Sequence, residues 1–280
     1  MSILLCPVCR EPLEAGEKRM VCQNGHSFDR AKQGYVNLLM SQKAKEKRHG
    51  DDKLMVRARM AFLDKGYYDP LKDGILSVLS EEMGEHRILL DAGCGECWYT
   101  EKIYAAFQKA GCHLDVTALD ISKDALIIGA KRGGDFIRAV ASVFDLPIKS
   151  GSCDIVLNLF APASPAEFRR VLKPGGVLVR AVPLERHLFG LKQAVYARPY
   201  ENEVANETYP GLVLEETRDI HGRLSLTGRE DIQNLFKMTP YYYKTSAEDQ
   251  QKLERIDSLE TEIAFRVLKY RKSGCVEEKL

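Results

Sequence analysis

The sequence lacks any long apolar segment. Hydrophobic residues make up 45% of its 280 residues, yet no uninterrupted apolar run reaches the roughly 18 residues that a membrane-spanning helix needs. The opening stretch Ser2-Ile3-Leu4-Leu5 is also too short for the apolar part of a secretory signal. We therefore expect a cytoplasmic protein with no membrane partner, long enough to bury one sizeable core and to carry a small extra module.

Two familiar nucleotide-binding loops are missing as well. The sequence has no G-x4-G-K-[ST] loop for a triphosphate. The stretch that begins at Gly93 reads G-C-G-E-C-W, so Trp98 occupies the place of the third glycine in a dinucleotide-binding loop. Neither a nucleoside triphosphate nor a pyrophosphate-containing dinucleotide is therefore favoured as a ligand.

A group of metal-ligating residues is present near the start. Cys6 and Cys9 form a C-x2-C pair, and Cys22 and His26 form a C-x3-H pair after a short loop. This spacing suits a tetrahedral zinc ion, and the segment has too few large apolar residues to fold without a metal. Disulfides and unliganded thiols are the alternatives. Cys112 and Cys153 lie singly beside apolar runs, as in a reducing cytosol, which disfavours disulfides.

Basic residues are concentrated after this motif, although the net charge of the chain is only +1. From Arg30 to Arg59 there are nine Lys and Arg residues against three Asp and Glu. Such a stretch is either a solvated linker or an electrostatic contact surface for a polyanion. We divide the chain into a zinc-binding module (1–38), a basic linker (39–54) and a larger domain (55–280).

The larger domain alternates between strand and helix patterns. Apolar residues recur at helical spacing from Met55, and five strand-like runs then alternate with helical segments: RILLDAG, HLDVTALD, FIRAVAS, CDIVLNLFA and GVLVRAVP. This alternation predicts an α/β fold with a parallel, doubly wound sheet. Near the C-terminus, LVLEETRDIH and LETEIAFRVLKYRK are expected to form an antiparallel pair at one edge of that sheet.

The loop after the first of these strands indicates the cofactor. The strand ends at Asp91, Gly93 and Gly95 permit a tight turn with close backbone approach, and Asp120 ends the next strand. A carboxylate at that position is placed to accept hydrogen bonds from ribose hydroxyls. S-adenosylmethionine has a ribose but no phosphate, so the D-x-G-x-G loop with its acidic second strand favours this cofactor.

These motifs resemble a known family. DAGCGE, LDIS, DLP followed by SGSCDIV, and LKPGGVL resemble the motif series of class I S-adenosylmethionine-dependent methyltransferases. With the cysteine motif, HSFDRAKQGYVNLL, RMAFLDKGYYDPL, VPLERHL and KMTP, the chain resembles the 23S rRNA guanine-N1 methyltransferases of the RlmA family nearly end to end. The resemblance implies a Rossmann-like class I methyltransferase domain over 55–280, with S-adenosylmethionine and Zn²⁺ as cofactors. It also implies methylation of a guanine in a 23S rRNA hairpin, and suggests that two chains pair into an RNA-sized cleft.

The resemblance also implies site residues. Zinc would be held by Cys6, Cys9, Cys22 and His26, and the cofactor would be contacted by Tyr68, Gly95, Glu96 and His187, with Ser142 and Val143 on its adenine side. Asp91, Gly93 and Asp120 complete the predicted cofactor site from the loop itself.

The loop departs from the family pattern at one position. Cys97 stands where the third loop glycine is usual, and a Cβ there is expected to narrow the approach to the methionine end of the cofactor. Cys94 and Cys97 form a second C-x2-C pair. Buried, inert thiols are favoured for this pair over a redox couple or a second metal site.

The residues that perform the transfer are less clear from the sequence. At the end of the fourth strand, Asn158 can hydrogen-bond a base edge, and Phe160 either stacks on a flipped base or belongs to the core. No general base for the N1 proton is identified.

Two other functions remain open. A methyltransferase of a small metabolite would share DLPIKSGSCDIV, and a non-enzymatic, zinc-anchored RNA-binding protein would have a decayed cofactor loop. The zinc motif and the basic stretch argue for RNA, and the intact loop argues against decay.

Overall fold

The structure, a computed structural model, describes residues 3–40, 50–204 and 208–274. In these ranges the strands are β1 (Leu13–Ala15), β2 (Arg19–Cys22), β3 (Ser27–Asp29), β4 (Tyr35–Asn37), β5 (His86–Ala92), β6 (His113–Asp120), β7 (Ile137–Val140), β8 (Cys153–Leu159), β9 (Leu172–Pro183), β10 (Leu212–Thr227) and β11 (Ser258–Lys272). The α-helices are α1 (Lys53–Leu63), α2 (Asp69–Leu79), α3 (Trp98–Lys109), α4 (Lys123–Gly129), α5 (Pro165–Val171), α6 (Phe189–Val195), α7 (Arg229–Lys237), α8 (Tyr241–Lys244) and α9 (Ala247–Leu253).

The large sheet has eight strands in the order β10-β11-β9-β8-β5-β6-β7-β4. Neighbouring strands from β4 to β9 are parallel, whereas β11 runs antiparallel to both β9 and β10. The predicted doubly wound α/β sheet and the predicted antiparallel pair at its edge are both confirmed. The chain moves outward from β5 in both directions, so the carboxyl ends of β5, β6 and β8 border the crevice where such sheets bind ligands.

Local sequence explains why these elements form. The central strand β8, CDIVLNL, is buried at all but one position, as expected for a strand covered on both faces of a parallel sheet. Helix α1 begins after Asp52, whose Oδ1 accepts a hydrogen bond from the Met55 amide at 3.0 Å. Among the described residues, none of the helices combines the length and the apolar character that crossing a bilayer requires.

The N-terminal region is built into the large sheet rather than attached beside it. β4 lies within the range predicted as the zinc-binding module, yet it pairs in parallel with β7, where Tyr35 faces Arg138. Upstream, the Leu5 amide donates to the Pro147 carbonyl at 2.8 Å, and the Lys149 amide donates to the Ile3 carbonyl at 2.9 Å. The small antiparallel sheet β1-β2-β3 is thus joined by backbone hydrogen bonds to the segment that follows β7.

One apolar cluster continues across this junction. Leu4, Leu13 and Met20 from the N-terminal region are fully or almost fully buried in the same cluster as Leu90 and Val156 from the large sheet. The division at residues 38 and 54 remains a prediction. Residues 41–49 of the predicted linker lie outside the described residues, and its last two residues, Lys53 and Leu54, belong to α1.

Candidate active site and zinc centre

The four predicted zinc ligands lie together. The ligand atoms of Cys6, Cys9, Cys22 and His26 are all within 4.8 Å of one another. The Sγ atoms of Cys9 and Cys22 are 3.7 Å apart, and Nδ1 of His26 is 3.4 Å from Sγ of Cys22. Zn–S bonds of about 2.3 Å and Zn–N bonds of about 2.0–2.1 Å in a tetrahedron separate neighbouring ligand atoms by about 3.5–3.8 Å, so the group fits zinc.

Two tight turns present these ligands. After Cys9, Arg10 adopts a left-handed backbone (φ 63°) and its amide donates to the Cys6 carbonyl at 2.8 Å. After Cys22, Gly25 has φ 79° and its amide donates to the Cys22 carbonyl at 2.9 Å. A hydrogen bond from the Glu11 amide lowers the pKa of Cys9 to about 6, which favours the thiolate that a metal requires.

A second group of metal-ligating side chains has a simpler explanation. His86 and His113 face each other across β5 and β6, and their Nε2 atoms lie 2.9 and 3.3 Å from the two carboxylate oxygens of Asp115. All three residues are exposed, at the amino ends of strands whose carboxyl ends carry the cofactor loop. The contacts of both imidazoles with the Asp115 carboxylate account for this arrangement, which lies at the opposite end of the strands from the loop.

The cofactor loop is held by the end of β6. The Leu119 carbonyl accepts the amides of Gly93 and Cys94, at 2.8 and 3.0 Å. The Asp120 carboxylate accepts the Gly95 amide at 2.8 Å through Oδ2 and the Ser122 amide at 2.7 Å through Oδ1. Because a carboxylate oxygen accepts more than one hydrogen bond, Asp120 can still receive ribose hydroxyls at the edge of the loop.

Position 93 must be glycine for a steric reason that the loop motif does not reveal. Its φ is 99°, and a Cβ built on it would stand 2.3 Å from Cβ of Ala161. The loop after β8, which carries Phe160 and Ala161, therefore lies directly against the cofactor loop. Any side chain at position 93 would push these two loops apart.

Asp91 is buried with one oxygen unused. Its Oδ2 accepts from the Thr100 hydroxyl at 2.6 Å, whereas Oδ1 is buried and has no hydrogen-bond partner. Burial, opposed by the Thr100 hydrogen bond and assisted by the charge of nearby Asp120, raises the pKa of Asp91 to about 7. An unpaired buried carboxylate oxygen is costly unless a donor reaches it, so the position suits a cationic ligand group such as an ammonium.

The side chain of Glu96 is buried within the fold rather than exposed on the loop. Its side chain is 2% exposed and pairs with Arg132, Oε1 to Nη2, at 3.3 Å. Burial raises the pKa of Glu96, and the charges of Arg59 and Arg132 oppose that rise. The main chain of Glu96 is therefore the part that remains for a cofactor contact.

Arg59 is a residue that the sequence analysis missed. It projects from α1, pairs with Asp51, and its Nη1 lies 3.3 Å from where a Cβ on Gly95 would stand. Burial lowers the pKa of Arg59, but the carboxylates of Asp51, Glu96 and Asp120 outweigh burial and raise it. This guanidinium covers a loop otherwise surrounded by carboxylates. Arg59 begins the family-like segment RMAFLDKGYYDPL, but nothing in its spacing marks it as a contact of the loop.

Cys97 does not narrow the cofactor approach as expected. It takes the left-handed backbone (φ 62°) that makes glycine usual there, but its side chain is fully buried in the core. Its Sγ lies 3.6 Å from Sγ of Cys94. Burial raises the pKa of Cys94 well above its ordinary value, which agrees with an inert thiol.

Tyr68 and His187 meet although 119 residues separate them. The Tyr68 hydroxyl lies 3.3 Å from Nε2 of His187, and Nδ1 of His187 accepts the Ala264 amide at 3.3 Å. The ring hydrogen is thereby left on Nε2, which donates to Tyr68. Burial, with a contribution from Lys192, lowers the pKa of His187 to about 3, so its imidazole is neutral. Phe265 packs against both rings, at 4.9 and 4.3 Å between centroids.

The predicted adenine-side residues separate into two kinds. Ser142 lines a cavity of about 200 Å³ beside Ile121, the residue after Asp120, whereas the Val143 side chain is buried in the apolar cluster. The cavity has the size of part of a ligand rather than a whole one, which typically needs about 300–1,000 Å³. Together, the cavity, the Asp120 carboxylate and the unpaired Asp91 oxygen fit an adenine, a ribose and an ammonium group.

The positions of Asn158 and Phe160 at the end of β8 distinguish between the roles proposed for them. Asn158 is fully buried; its Nδ2 donates to the Ala92 carbonyl at 2.9 Å and its Oδ1 accepts from Arg180 at 3.0 Å, so it does not reach a base edge. Phe160 is 46% exposed and has a left-handed backbone (φ 57°). Its ring meets Phe265 edge-on, at 5.6 Å between centroids. A left-handed backbone at a bulky residue is strained, and such strain is concentrated at functional sites.

The contact between Gly93 and Ala161 predicts how substitutions at these two positions change cofactor affinity. Overpacking costs about 1–3 kcal/mol, and the loop can relieve it only by moving, so Gly93→Ala should raise the Kd for S-adenosylmethionine about 5- to 150-fold in titration calorimetry. The double variant Gly93→Ala with Ala161→Gly should recover part of the affinity because it removes the clash.

Gly111→Ala is the matched control. Gly111 also has a positive φ, 78°, but nothing lies within 4 Å of a Cβ built on it. The Gly111→Ala variant should lower the stability of the protein and leave its affinity for S-adenosylmethionine unchanged. Equal affinity loss in the single and double Gly93 variants would show that the loop contact is not the cause.

Comparison with known proteins agrees with this architecture. Residues 4–47 match the family described as "RlmA, N-terminal", a zinc ribbon, and residues 90–180 match the family described as "Methyltransferase domain". The expectation of zinc and S-adenosylmethionine as cofactors is thereby confirmed.

Three curated relatives extend the comparison. The "Putative 23S rRNA (guanine-N(1)-)-methyltransferase YxjB" of Bacillus subtilis is 31% identical over 276 residues, 95% of this chain and 96% of that protein. The 23S rRNA (guanine(748)-N1)-methyltransferase of Streptomyces fradiae is 37% identical over 69% of this chain and 67% of its own length. A malonyl-[acyl-carrier protein] O-methyltransferase of Hahella chejuensis is 30% identical over only 43% of this chain. The resemblance that includes the zinc ribbon is the one that spans the molecule, and this chain belongs to the family of 23S rRNA (guanine-N1)-methyltransferases.

Proposed function

We propose that this protein transfers the methyl group of S-adenosylmethionine to N1 of a guanine in a 23S rRNA hairpin. One observation carries the proposal. A four-ligand zinc centre and the D-x-G-x-G cofactor loop, held by Asp120, are joined by one continuous apolar core. Relatives of nearly equal length that are named for this reaction support the same substrate. Methylation of ribosomal RNA also agrees with the predicted cytoplasmic location.

Each part of the cofactor would be held by a different element. Asp120 would accept the ribose hydroxyls, the cavity beside Ile121 and Ser142 would take the adenine, and Asp91 would receive the ammonium. The main chain of Gly93, Gly95 and Glu96 would approach the methionine part, because their loop turns at the carboxyl end of β5 beside Asp120. When bound, the cofactor supplies an electrophilic methyl group on a sulfonium, and the carbon–sulfur bond breaks as the nitrogen–carbon bond forms.

The residues on the methyl side mainly align the base and exclude water. Tyr68, His187 and Phe265 form a buried aromatic wall, and Phe160 extends this wall into solvent beside the cofactor loop. We propose that Phe160 stacks on the guanine once it has left its helix. An in-line displacement depends on the alignment of nitrogen, carbon and sulfur, and a stacked base has less freedom to leave that line.

The guanine N1 also loses a proton, and two nearby side chains are unsuited to take it. The lone pair of His187 at Nδ1 is occupied by the Ala264 amide, and Nε2 carries the ring hydrogen. Asn158 has no basic group and its amide is fully engaged within the fold. We assign both residues to positioning rather than to proton removal.

The zinc-binding module and the basic stretch would contact the RNA outside the reacting base. Hairpins are recognised by shape and by phosphate contacts over a wide surface, which one pocket does not offer. Part of the basic stretch, residues 41–49, lies outside the described residues. The pairing of two chains into an RNA-sized cleft stays a prediction.

The product of the reaction tests the proposed function. Incubation with methyl-labelled S-adenosylmethionine and unmodified 23S rRNA should place the label in 1-methylguanosine, identified by mass after digestion to nucleosides. Asp120→Ala should abolish the label and cofactor binding together. A chain that binds the cofactor but leaves every rRNA nucleoside unlabelled would instead favour a small-metabolite substrate.

The unpaired oxygen of Asp91 predicts a pH dependence of cofactor binding. The cofactor ammonium needs the ionised carboxylate, and the pKa of Asp91 in the free protein is about 7. The affinity for S-adenosylmethionine should therefore increase as the pH rises through 7. Well below pH 7, it should fall by about tenfold for each unit by which the pH is lowered. Below pH 7, binding should release a proton, measurable by calorimetry in buffers of different ionisation enthalpy. Asp91→Asn should bind more weakly with no proton release; unchanged release would exclude Asp91.

The role of Phe160 predicts a selective loss on the RNA side. Base stacking on an aromatic ring contributes about 1–3 kcal/mol, so Phe160→Ala should lower kcat/KM for rRNA about 5- to 150-fold and leave the Kd for S-adenosylmethionine unchanged. Phe160→Tyr should retain most activity. Leu214→Ala removes an equally exposed apolar side chain on β10 and is the control. A loss of cofactor affinity in Phe160→Ala would place the residue in the cofactor site instead.

A further inference from the structure

We infer that the zinc-binding module forms one wall of the pocket that receives the adenine of the cofactor, and that Arg10 is the positioning residue that holds this wall. The inference deepens the proposed function, since it rests on the use of S-adenosylmethionine, but it does not depend on which substrate is methylated. It gives the module a part in cofactor binding besides any contact with RNA.

The cavity of about 200 Å³ lies between the two parts of the chain. On one side it is lined by Ile121, Ser142 and Phe144, which follow the carboxyl ends of β6 and β7. Pro7 and Arg10 of the module line it from the other side, together with Leu38 at the end of β4. Ile121 comes directly after the proposed ribose ligand Asp120, so the cavity is where the base of an adenosine would be expected.

The lining suits a flat, aromatic group. Most of the residues around the cavity are apolar, and Ser142 adds a hydroxyl at its edge. Pockets for such ligands are typically apolar with a few placed polar groups. Because Pro7 and Leu38 supply part of this apolar surface, the large sheet by itself would leave the base partly exposed to water.

Arg10 connects the zinc centre to the rim of the cavity. Its amide donates to the Cys6 carbonyl within the first ligand turn. Its guanidinium donates to the Leu146 carbonyl at 3.2 Å through Nη1 and pairs with the Asp145 carboxylate through Nη2. The same segment is held from behind by α5, where Arg170 Nη2 donates to the Leu146 carbonyl at 2.9 Å and Glu167 accepts the Leu146 amide at 2.7 Å. The segment after Ser142 is thus fixed from both sides.

The zinc ion would control this contact through the backbone. Arg10 follows the ligand Cys9 directly and has a left-handed conformation (φ 63°) that a non-glycine residue adopts only when its surroundings require it. Ligation of Cys6 and Cys9 imposes the turn that aims the guanidinium at Asp145 and Leu146. Zinc binding and cofactor binding should therefore be thermodynamically coupled, each increasing the affinity for the other.

The test compares two ligands with two arginine variants of the full chain. Arg10→Ala should raise the Kd of S-adenosylhomocysteine and of 5′-methylthioadenosine by the same factor, about fivefold or more, because both carry the adenosine. Asp91→Asn should weaken the binding of S-adenosylhomocysteine alone, because 5′-methylthioadenosine lacks the amino-acid end. Arg19→Ala, which alters an exposed arginine on β2 of the same module, should change neither affinity. Zinc content, measured by mass spectrometry, should remain about one per chain in both arginine variants.

Removal of zinc completes the test. Chelation should weaken the binding of 5′-methylthioadenosine to the native chain, and returned zinc should restore it. In Arg10→Ala, chelation should weaken this binding by a smaller factor, because the Arg10 contact is already lost and only the Pro7 side of the wall remains to be disturbed. Arg10→Lys keeps the charge but loses the two simultaneous contacts of the guanidinium. Its affinity for 5′-methylthioadenosine should lie between those of the native chain and Arg10→Ala. Unchanged affinity for 5′-methylthioadenosine in zinc-loaded Arg10→Ala would overturn the inference. No RNA is present, so failure here is separate from failure to form 1-methylguanosine.

Discussion

The cofactor edge of this protein depends on the hydrogen bonds at the Asp120 carboxylate. One oxygen accepts the Gly95 amide from the glycine loop and the other accepts the Ser122 amide at the start of α4. Burial raises the pKa of Asp120, and these two amides act in the opposite direction by stabilising its ionised form. The group proposed to bind the ribose is therefore also the group that connects the loop after β5 to the start of α4.

The methyl side of the site is organised by contact between loops rather than by charge. Gly93 allows Ala161 to lie against the cofactor loop, and this contact places Phe160 at the rim with its ring on Phe265. The same Phe265 packs on Tyr68 and His187, so residues from four distant parts of the chain form one aromatic surface. A neutral, apolar wall suits a reaction whose leaving group is good and whose main requirement is alignment.

The N-terminal zinc ribbon is a structural part of the methyltransferase rather than an attachment. Its apolar residues are buried with those of the large sheet, and β4 extends that sheet by an eighth strand. A small sheet of three short strands cannot bury enough surface to be stable alone, so it depends on both the metal and the neighbouring domain. This shared burial brings Arg10 to the segment that borders the cavity.

Much of this protein was determined by local sequence. The zinc ligands, the alternation of strands and helices, the antiparallel edge pair and the D-x-G-x-G loop with Asp120 are all readable because short-range spacing dictates tight turns, helix faces and strand ends. The direction of individual side chains was not readable. Glu96 turns toward Arg132, although it lies in the loop that the motif identified. The meetings of Tyr68 with His187, Arg59 with the loop, and Arg10 with Asp145 were decided only by the tertiary structure, because each joins segments whose separation along the chain carries no periodic signal.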